Sequence, residues 1–448
     1  MDLTAISQRA ETFLQSFYKI LYQYHKQSEA NGSLEQAYAA AGIFEPEIVD
    51  ELREAMLTAA HTGPLRRLFR FVASGVLRRH LLPLEKSLAE HYDQLSWPHS
   101  WAKHDTLGPG QPLPEQPQGE QLETLAAIYS ERWRQLIEKL ADLGFKNPVA
   151  FYEYATGIDP ITLVQAAESY LDQNQRTYLL ALATLAKEHY PFADRWQLEH
   201  FLRGEAYDAH FPAAELLPAM EDTLYHLGVD VTRQPNLVLE VNRDLPSGLA
   251  FAFPVRVPQE IYVCVSPMAG IVAYEQLLGL MGMVMPRLLV DPQLDWLARR
   301  LPDPALDSAC AELFISLLAS PEWRADRLGA AAASDELQDF INLRRLYRMR
   351  LRAARAIITV DRSLGQADYS VTFQQALGAQ HDLSARIIDM GYLRNALDAW
   401  RGIQVGARFA AQLAERYGRA WYRQPECGEF LRQLFNRGLT SLEDLKLP

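Results

Sequence analysis

The sequence has very few cysteines. Among its 448 residues only Cys264, Cys310 and Cys427 are cysteines; they are widely spaced, stand in apolar or helical contexts and form no C-x-x-C pair. An odd number of scattered cysteines predicts buried free thiols instead of a disulfide framework, and free thiols are typical of a reducing compartment. We therefore expect a cytoplasmic protein.

The short motifs that mark several enzyme classes are also absent. The chain has no G-x-S-x-G nucleophile turn, no G-x-x-x-x-G-K-[ST] phosphate loop and no G-x-G-x-x-G after a strand. None of its eleven histidines forms an H-x-x-x-H pair. His99 and His104, beside Asp105, could gather as ligands in a loop, although a surface aromatic loop explains the same residues. These absences give no positive indication of nucleotide binding or serine hydrolysis.

Neither charge nor hydropathy indicates a nucleic-acid or membrane partner. The net charge of −12 opposes nonspecific binding to nucleic acid, which requires a basic face. The most apolar window, 269–285, is interrupted by Glu275 and Gln276 and is shorter than the roughly 20 residues that span a bilayer. The first 20 residues lack the basic and apolar regions of a secretory signal.

Apolar periodicity predicts a mainly helical chain with one small sheet. Residues 1–104 repeat apolar side chains at helical spacing, and residues 105–121 form a Pro/Gly/Gln-rich loop or linker. Residues 122–448 return to helical patterns, except for β-branched and alternating segments within 236–265 that predict the sheet. Near the N-terminus, Ser33 and Gln36 match a capping box that starts a short helix, and Gly42 would end it.

Arginines are concentrated in one predicted helix, 342–356, with the sequence NLRRLYRMRLRAARA. One interpretation is a surface for an anionic partner. The other, which the sequence favours, is a solvated helix whose arginines pair with local acids.

The segment that carries most information is 266–286, SPMAGIVAYEQLLGLMGMVMP, which follows a predicted strand and a Pro/Gly turn. This segment resembles the active-site helix of oligopeptidase-type zinc peptidases, the gluzincins similar to thimet oligopeptidase and oligoendopeptidase F. In that family, a turn, a tyrosine and two apolar residues precede His-Glu-x-Gly-His. Here the five corresponding residues are Gly279, Leu280, Met281, Gly282 and Met283.

The resemblance implies a catalytic centre that has lost its chemistry. In the family, the two histidines bind zinc from one helix face and the glutamate activates the zinc-bound water. Gly279 and Met283 occupy the ligand positions and Leu280 the base position. Ser308, 29 residues after Gly279, occupies the position of the third ligand, a glutamate in the family. Glu312 is a nearby carboxylate in a shifted register. We therefore expect no zinc, no other cofactor and no peptidase activity.

Three further blocks extend the resemblance. They are 194–230, which is similar to the helix pair before the family's sheet, 236–265, which is similar to the sheet, and 408–438, which is similar to the closing helices. The resemblance implies a two-lobed helical architecture with a groove between the lobes. The family also takes substrate contacts from a tyrosine and a histidine of its late helical region. Around 389–392 this chain has one tyrosine, Tyr392, and no nearby histidine after His381.

The resulting hypothesis is a pseudopeptidase that binds a peptide or protein partner in a residual groove lined by Tyr274, Met281, Met285 and Tyr392. The alternative for the methionines is that they are simply core. Two other functions stay open: an active hydrolase with a metal relocated to Glu275, Glu312 or the His99–His104 loop, and a structural subunit with a filled groove. The sequence gives no oligomeric state.

Overall fold

The computed structural model describes residues 2–26, 33–59, 62–94, 120–241 and 250–447. In chain order the α-helices of these ranges are α1 (Leu3–His25), α2 (Leu34–Ala41), α3 (Pro46–Thr58), α4 (Gly63–Gln94), α5 (Glu120–Asp142), α6 (Pro148–Thr156), α7 (Pro160–Ala186), α8 (Arg195–Arg203), α9 (Ala213–His226), α10 (Ile271–Leu289), α11 (Trp296–Arg300), α12 (Ala305–Ile315), α13 (Pro321–Leu328), α14 (Asp335–Leu364), α15 (Tyr369–Leu377), α16 (Leu383–Tyr392), α17 (Ala396–Tyr417) and α18 (Pro425–Asn436). The predicted mainly helical class is confirmed.

The first short helix shows how local sequence sets its boundaries. Ser33 accepts a hydrogen bond from the Gln36 backbone N–H, and the Gln36 side chain accepts one from the Ser33 N–H. Gly42 ends α2 in the left-handed region, with φ of 59°. Both ends of the helix were predicted from these residues, because caps satisfy the terminal N–H groups and glycine adopts positive φ without strain.

The small sheet has three strands, β1 (Leu237–Val241), β2 (Ala250–Arg256) and β3 (Glu260–Val265). Strand β3 is central; it pairs in parallel with β1 and antiparallel with β2. The sheet lies within the predicted range of 236–265, and the end of β3 leads directly toward α10. The predicted turn at Pro246–Gly248 lies outside the described residues.

Three large apolar cores hold the helices together. The first joins α1 to α4 with the end of α5 and with α6. The second joins α7, α8, α14, α15 and α17. The third joins α9, α10, α12 and α18 with the buried face of the sheet. Helices α10, α12, α14 and α17 therefore meet where the second and third cores come together.

Glycines allow α10 and α17 to approach the backbone of α12 closely. A Cβ atom at Gly282 of α10 would lie 2.2 Å from the Cys310 carbonyl oxygen. Cβ atoms at Gly402 and Gly406 of α17 would lie 2.2 Å from the carbonyl oxygens of Ala305 and Ala309. Only glycine fits these contacts, so α12 is held between two helices at backbone distance.

The proposed linker and loop fall largely outside the described residues. Helix α5 begins at Glu120, so the helical part starts two residues before the predicted boundary. The rest of 105–121, with His99 and His104, is not among the described residues. The three cysteines are free and buried, as predicted. In the part of the chain that the structure describes, no helix has the length and apolarity needed to cross a membrane.

Candidate functional site

A cavity of about 400 Å³ lies where the second and third cores meet, and we call it the central cavity. Its walls come from α8, α10, α12, α14 and α17, with Ala250 of β2 at one side. Helix α12 packs at backbone distance against both α10 and α17, so the shape of the cavity is set by contacts between helices.

All four positions predicted to be remnants of a catalytic centre line the central cavity. Gly279, Leu280 and Met283 face it from α10, and Ser308 faces it from α12. On α10 the cavity wall consists of positions spaced by three or four residues, which is one face of a helix. These positions are Val272, Glu275, Gln276, Gly279, Leu280 and Met283. The structure thus brings together residues that the resemblance had placed around one metal.

The side chains at these positions do not fit zinc. Gly279 has no donor atom, Leu280 has no lone pair, and the Met283 thioether is a soft ligand that suits copper(I) better than zinc. Of the described residues that line the central cavity, none is histidine or cysteine. Across the described ranges, no cluster of three or more histidine, cysteine, aspartate or glutamate side chains is arranged to hold a metal ion.

The carboxylates of the central cavity are engaged by arginines of α14. Arg344 lies 2.6 Å from Glu275, and Arg348 lies 2.5 Å from Glu312 and 3.9 Å from Glu275. Burial raises the pKa of Glu275, but Arg344 and Arg348 outweigh burial, so the pKa lies below its ordinary value. Arg348 therefore places a protein cation between two glutamates of the cavity wall.

Glu312 is the most deeply buried of these acids, with 1% of its surface exposed. One carboxylate oxygen pairs with Arg348, whereas the other has no hydrogen-bond donor among the described residues and lies 3.6 Å from Arg345. A buried carboxylate oxygen that lacks a donor is costly unless water or a ligand supplies one. The cavity therefore offers an acceptor as well as several guanidinium donors.

Three of the residues predicted to line a groove lie elsewhere. Tyr274, Met281 and Met285 are each at most 2% exposed and belong to the third core. The Tyr274 hydroxyl donates to the Pro212 carbonyl at 2.8 Å, and burial raises its pKa. Met281 and Met285 are therefore core residues, which was the alternative that the sequence had left open. Tyr392 ends α16, and its side chain lies outside the described residues.

The arginine-rich helix was predicted to be solvated, and this prediction is wrong. Helix α14 is buried along much of its length: Arg350 is 0% exposed and Arg355 is 4% exposed. Arg355 donates to Asp389 at 2.8 Å, and Arg350 donates to the Leu171 carbonyl at 2.8 Å. The pairing with acids was anticipated, but the acids come from distant segments of the chain. The sequence signal that could have revealed this is the run of small and apolar residues between the arginines.

Comparisons with known proteins give a fold. No protein-family model matches the sequence, and no curated protein matches it. The M32 carboxypeptidase from Deinococcus radiodurans R1 is similar in structure, with a TM-score of 0.59 and 13% identity over 99% of this chain and 93% of that chain. Metallocarboxypeptidase 1 from Trypanosoma cruzi has a TM-score of 0.58 and 12% identity, over 98% and 94% of the two chains. PZ peptidase A with an inhibitor has a TM-score of 0.54 and 10% identity, over 96% and 81%.

The chain therefore has the mainly helical fold of metallocarboxypeptidases, with a small sheet beside the helix that lines the cavity. The peptidase-related fold agrees with the resemblance drawn from the sequence. The comparisons do not confirm membership of the oligopeptidase family, because the M32 carboxypeptidases differ from thimet oligopeptidase.

Proposed function

We propose that this protein is a non-catalytic homologue of metallopeptidases that binds a peptide or protein partner in the central cavity. The observation that carries the proposal is the convergence of Gly279, Leu280, Met283 and Ser308 on one cavity without a set of metal ligands. A peptidase-type fold supports a peptide as the ligand, and the lost donor set argues against zinc-dependent cleavage.

The lining of the central cavity is compatible with a peptide. Its volume lies within the range of small-ligand sites, about 300–1,000 Å³. Apolar side chains such as Leu280, Met283 and Ile315 alternate with guanidinium and carboxylate groups. Such a surface can bury apolar side chains while Arg348 and Glu312 exchange hydrogen bonds with a peptide backbone or terminus.

The first test is metal content. We expect less than about a tenth of a zinc per chain by elemental analysis after zinc loading and desalting, because no histidine or cysteine is among the described residues that line the cavity. The same sample should leave unstructured peptides uncleaved. Stoichiometric zinc with cleavage would overturn the proposal and favour an active hydrolase with a relocated metal.

The second test is binding of a fluorescent library of unstructured peptides. We expect binding by the native protein and at least a tenfold loss in Met283→Trp, which places a large ring in the cavity. Leu180→Trp is the matched control, since Leu180 is 64% exposed on α7. Absence of binding by the native protein would favour a structural subunit. Equal binding by Met283→Trp would place the peptide elsewhere.

A third test examines the assignment of the four positions. The variant Gly279→His, Leu280→Glu, Met283→His and Ser308→Glu restores the donors that the resemblance implies, and we expect it to gain zinc affinity. Catalysis requires further groups that orient the ligands, so turnover is not expected. A folded variant that gains no zinc would contradict the assigned register.

A further inference from the structure

A second cavity, of about 160 Å³, lies between α4, α5, α6, α14 and residues 390–397. It shares no lining residue with the central cavity. Most of its wall is apolar and includes Leu77, Leu81, Leu136, Leu140 and Phe151. An apolar cavity of about 150 Å³ accommodates a benzene-sized molecule, so the second cavity has room for one small ring or a short alkyl chain.

Cations predominate among the charged groups of the second cavity. Arg70, Arg78, Arg132 and Arg362 line it, whereas Glu85 is the one acidic residue among the described lining residues. Two of the arginines are already neutralised: Arg132 lies 2.7 Å from Glu85, and Arg70 pairs with the buried Asp398. This concentration of positive charge stands out in a protein with a net charge of −12.

Arg362 and Arg78 are not neutralised in this way. Within the described ranges neither forms an ion pair with a carboxylate. Arg362 is half-buried, and its guanidinium lies 4.0 Å from the centre of the Trp133 ring, which fixes its position at the cavity wall. Burial lowers the pKa of Arg362. The neighbouring Tyr369 hydroxyl, which is not an anion at neutral pH, opposes this shift, and the nearby Arg386 and Arg132 add to it. A half-buried guanidinium without a counterion is a natural partner for an anionic ligand.

We propose that the second cavity binds a small organic monocarboxylate with an aromatic or short aliphatic body. The carboxylate pairs with Arg362, with Arg78 at the exposed rim, and the apolar body lies among the leucines and Phe151. A planar carboxylate matches the two parallel N–H donors of a guanidinium. The apolar wall disfavours inorganic phosphate, whose oxygens would each need a donor.

The test is a calorimetric titration of the full chain with benzoate, benzamide and inorganic phosphate. We expect benzoate to bind at least about ten times more tightly than benzamide, which has the same ring without the charge, and phosphate to bind no better than benzamide. Equal affinities for benzoate and benzamide, tighter binding of phosphate, or no binding of benzoate would each overturn the proposal.

Variants locate the site. Arg362→Gln should weaken benzoate binding at least about tenfold, Arg362→Lys should retain part of the affinity, and Leu136→Trp should abolish binding by filling the cavity. Arg408→Gln, on the exposed surface of α17, is the control and should bind as the native protein does. Leu136 is only half-buried, so the tryptophan should be tolerated by the fold. If Leu136→Trp does not fold, the two Arg362 variants still test the proposal. Benzoate binding that is unchanged by Arg362→Gln would overturn the assignment.

Discussion

The two faces of helix α10 differ in chemistry although both are built from one apolar segment. The cavity face carries Glu275, Gly279, Leu280 and Met283 and meets the charged side chains of α12 and α14. The core face carries Tyr274, Leu277, Leu278, Met281, Met285 and Leu288, all buried in the third core. Successive residues of a helix turn by roughly 100°, so Met281 and Met285 point away from Gly279 and Met283.

This difference teaches that one helix can pack a core with one face and leave open space in front of its other face. Gly279, Leu280, Met283 and Ser308 have short or apolar side chains, and the adjacent acids Glu275 and Glu312 pair with arginines of α14. The cavity face therefore combines ion pairs with the apolar burial of Leu280, which also belongs to the third core. The core face is stabilised by apolar burial and close packing. The following substitutions separate the two contributions.

The largest loss in the free energy of unfolding is expected for a substitution at the contact between α10 and α12. Gly282→Ala would place a Cβ atom 2.2 Å from the Cys310 carbonyl oxygen, and two helix backbones would have to separate. We expect a loss of about 4 kcal/mol in the free energy of unfolding, measured by urea denaturation.

Gly279→Ala is the matched control on the cavity face of the same helix. Its Cβ would lie 2.9 Å from the Ile315 Cδ1 atom, the movable end of a side chain. The helix-propensity gain of about 1 kcal/mol should offset this contact. Equal losses in the two variants would show that the faces are not packed differently.

The next largest loss in the free energy of unfolding is expected for the methionines of α10. Met281 is 0% exposed in the third core, so Met281→Ala should cost about 3 kcal/mol through lost burial and a cavity. Met283 is half-buried at the cavity, so Met283→Ala should cost about 1 kcal/mol, because less apolar contact is lost. Thermal and urea unfolding of both variants would check the ratio, and a larger cost at Met283 would contradict the assignment of the faces.

The ion pairs of the cavity face predict a pH dependence. The folded-state pKa of Glu275 lies below its ordinary value because Arg344 and Arg348 outweigh burial. Its contribution to stability is therefore present above the unfolded pKa, about 4.3, and is lost as the pH falls through the lower folded value. Glu275→Gln should cost about 2 kcal/mol at pH 7, and the difference from the native protein should shrink in acid.

Met281→Ala is the control for this pH series, since it removes no titrating group. Its difference from the native protein should be the same from pH 7 to pH 3. A constant difference for Glu275→Gln over that range would show that the pair with Arg344 and Arg348 adds no stability.

The smallest effect is expected for Tyr274→Phe. This change removes one hydrogen bond, from the Tyr274 hydroxyl to the Pro212 carbonyl, and should cost about 1 kcal/mol. Because Tyr274 faces the core, peptide binding should be unchanged. A tenfold loss of peptide affinity with an unchanged free energy of unfolding would contradict this placement. It would show that Tyr274 contacts the peptide, as the sequence had suggested.

Much of the fold follows from local signals. The helical class, the position of the sheet and the ends of α2 depend on periodicity, β-branched runs and caps, which act over a few residues. The convergence of Gly279, Leu280 and Met283 is also local, because one helix carries them. The sequence left Met281 and Met285 open between groove and core. Helical geometry alone could have decided for the core, since it places Tyr274, Met281 and Met285 opposite Gly279 and Met283.

The amino-acid sequence by itself determined that α10 carries no histidine or glutamate where zinc chemistry would need them. Only the tertiary structure decided which side chains surround Gly279, Leu280 and Met283. Glu275 and Arg344 are 69 residues apart in sequence, and Glu312 and Arg348 are 36 apart, so no local pattern pairs them. Burial and charge are properties of the assembled walls, because whether an arginine is solvated or enclosed depends on the helices packed against it.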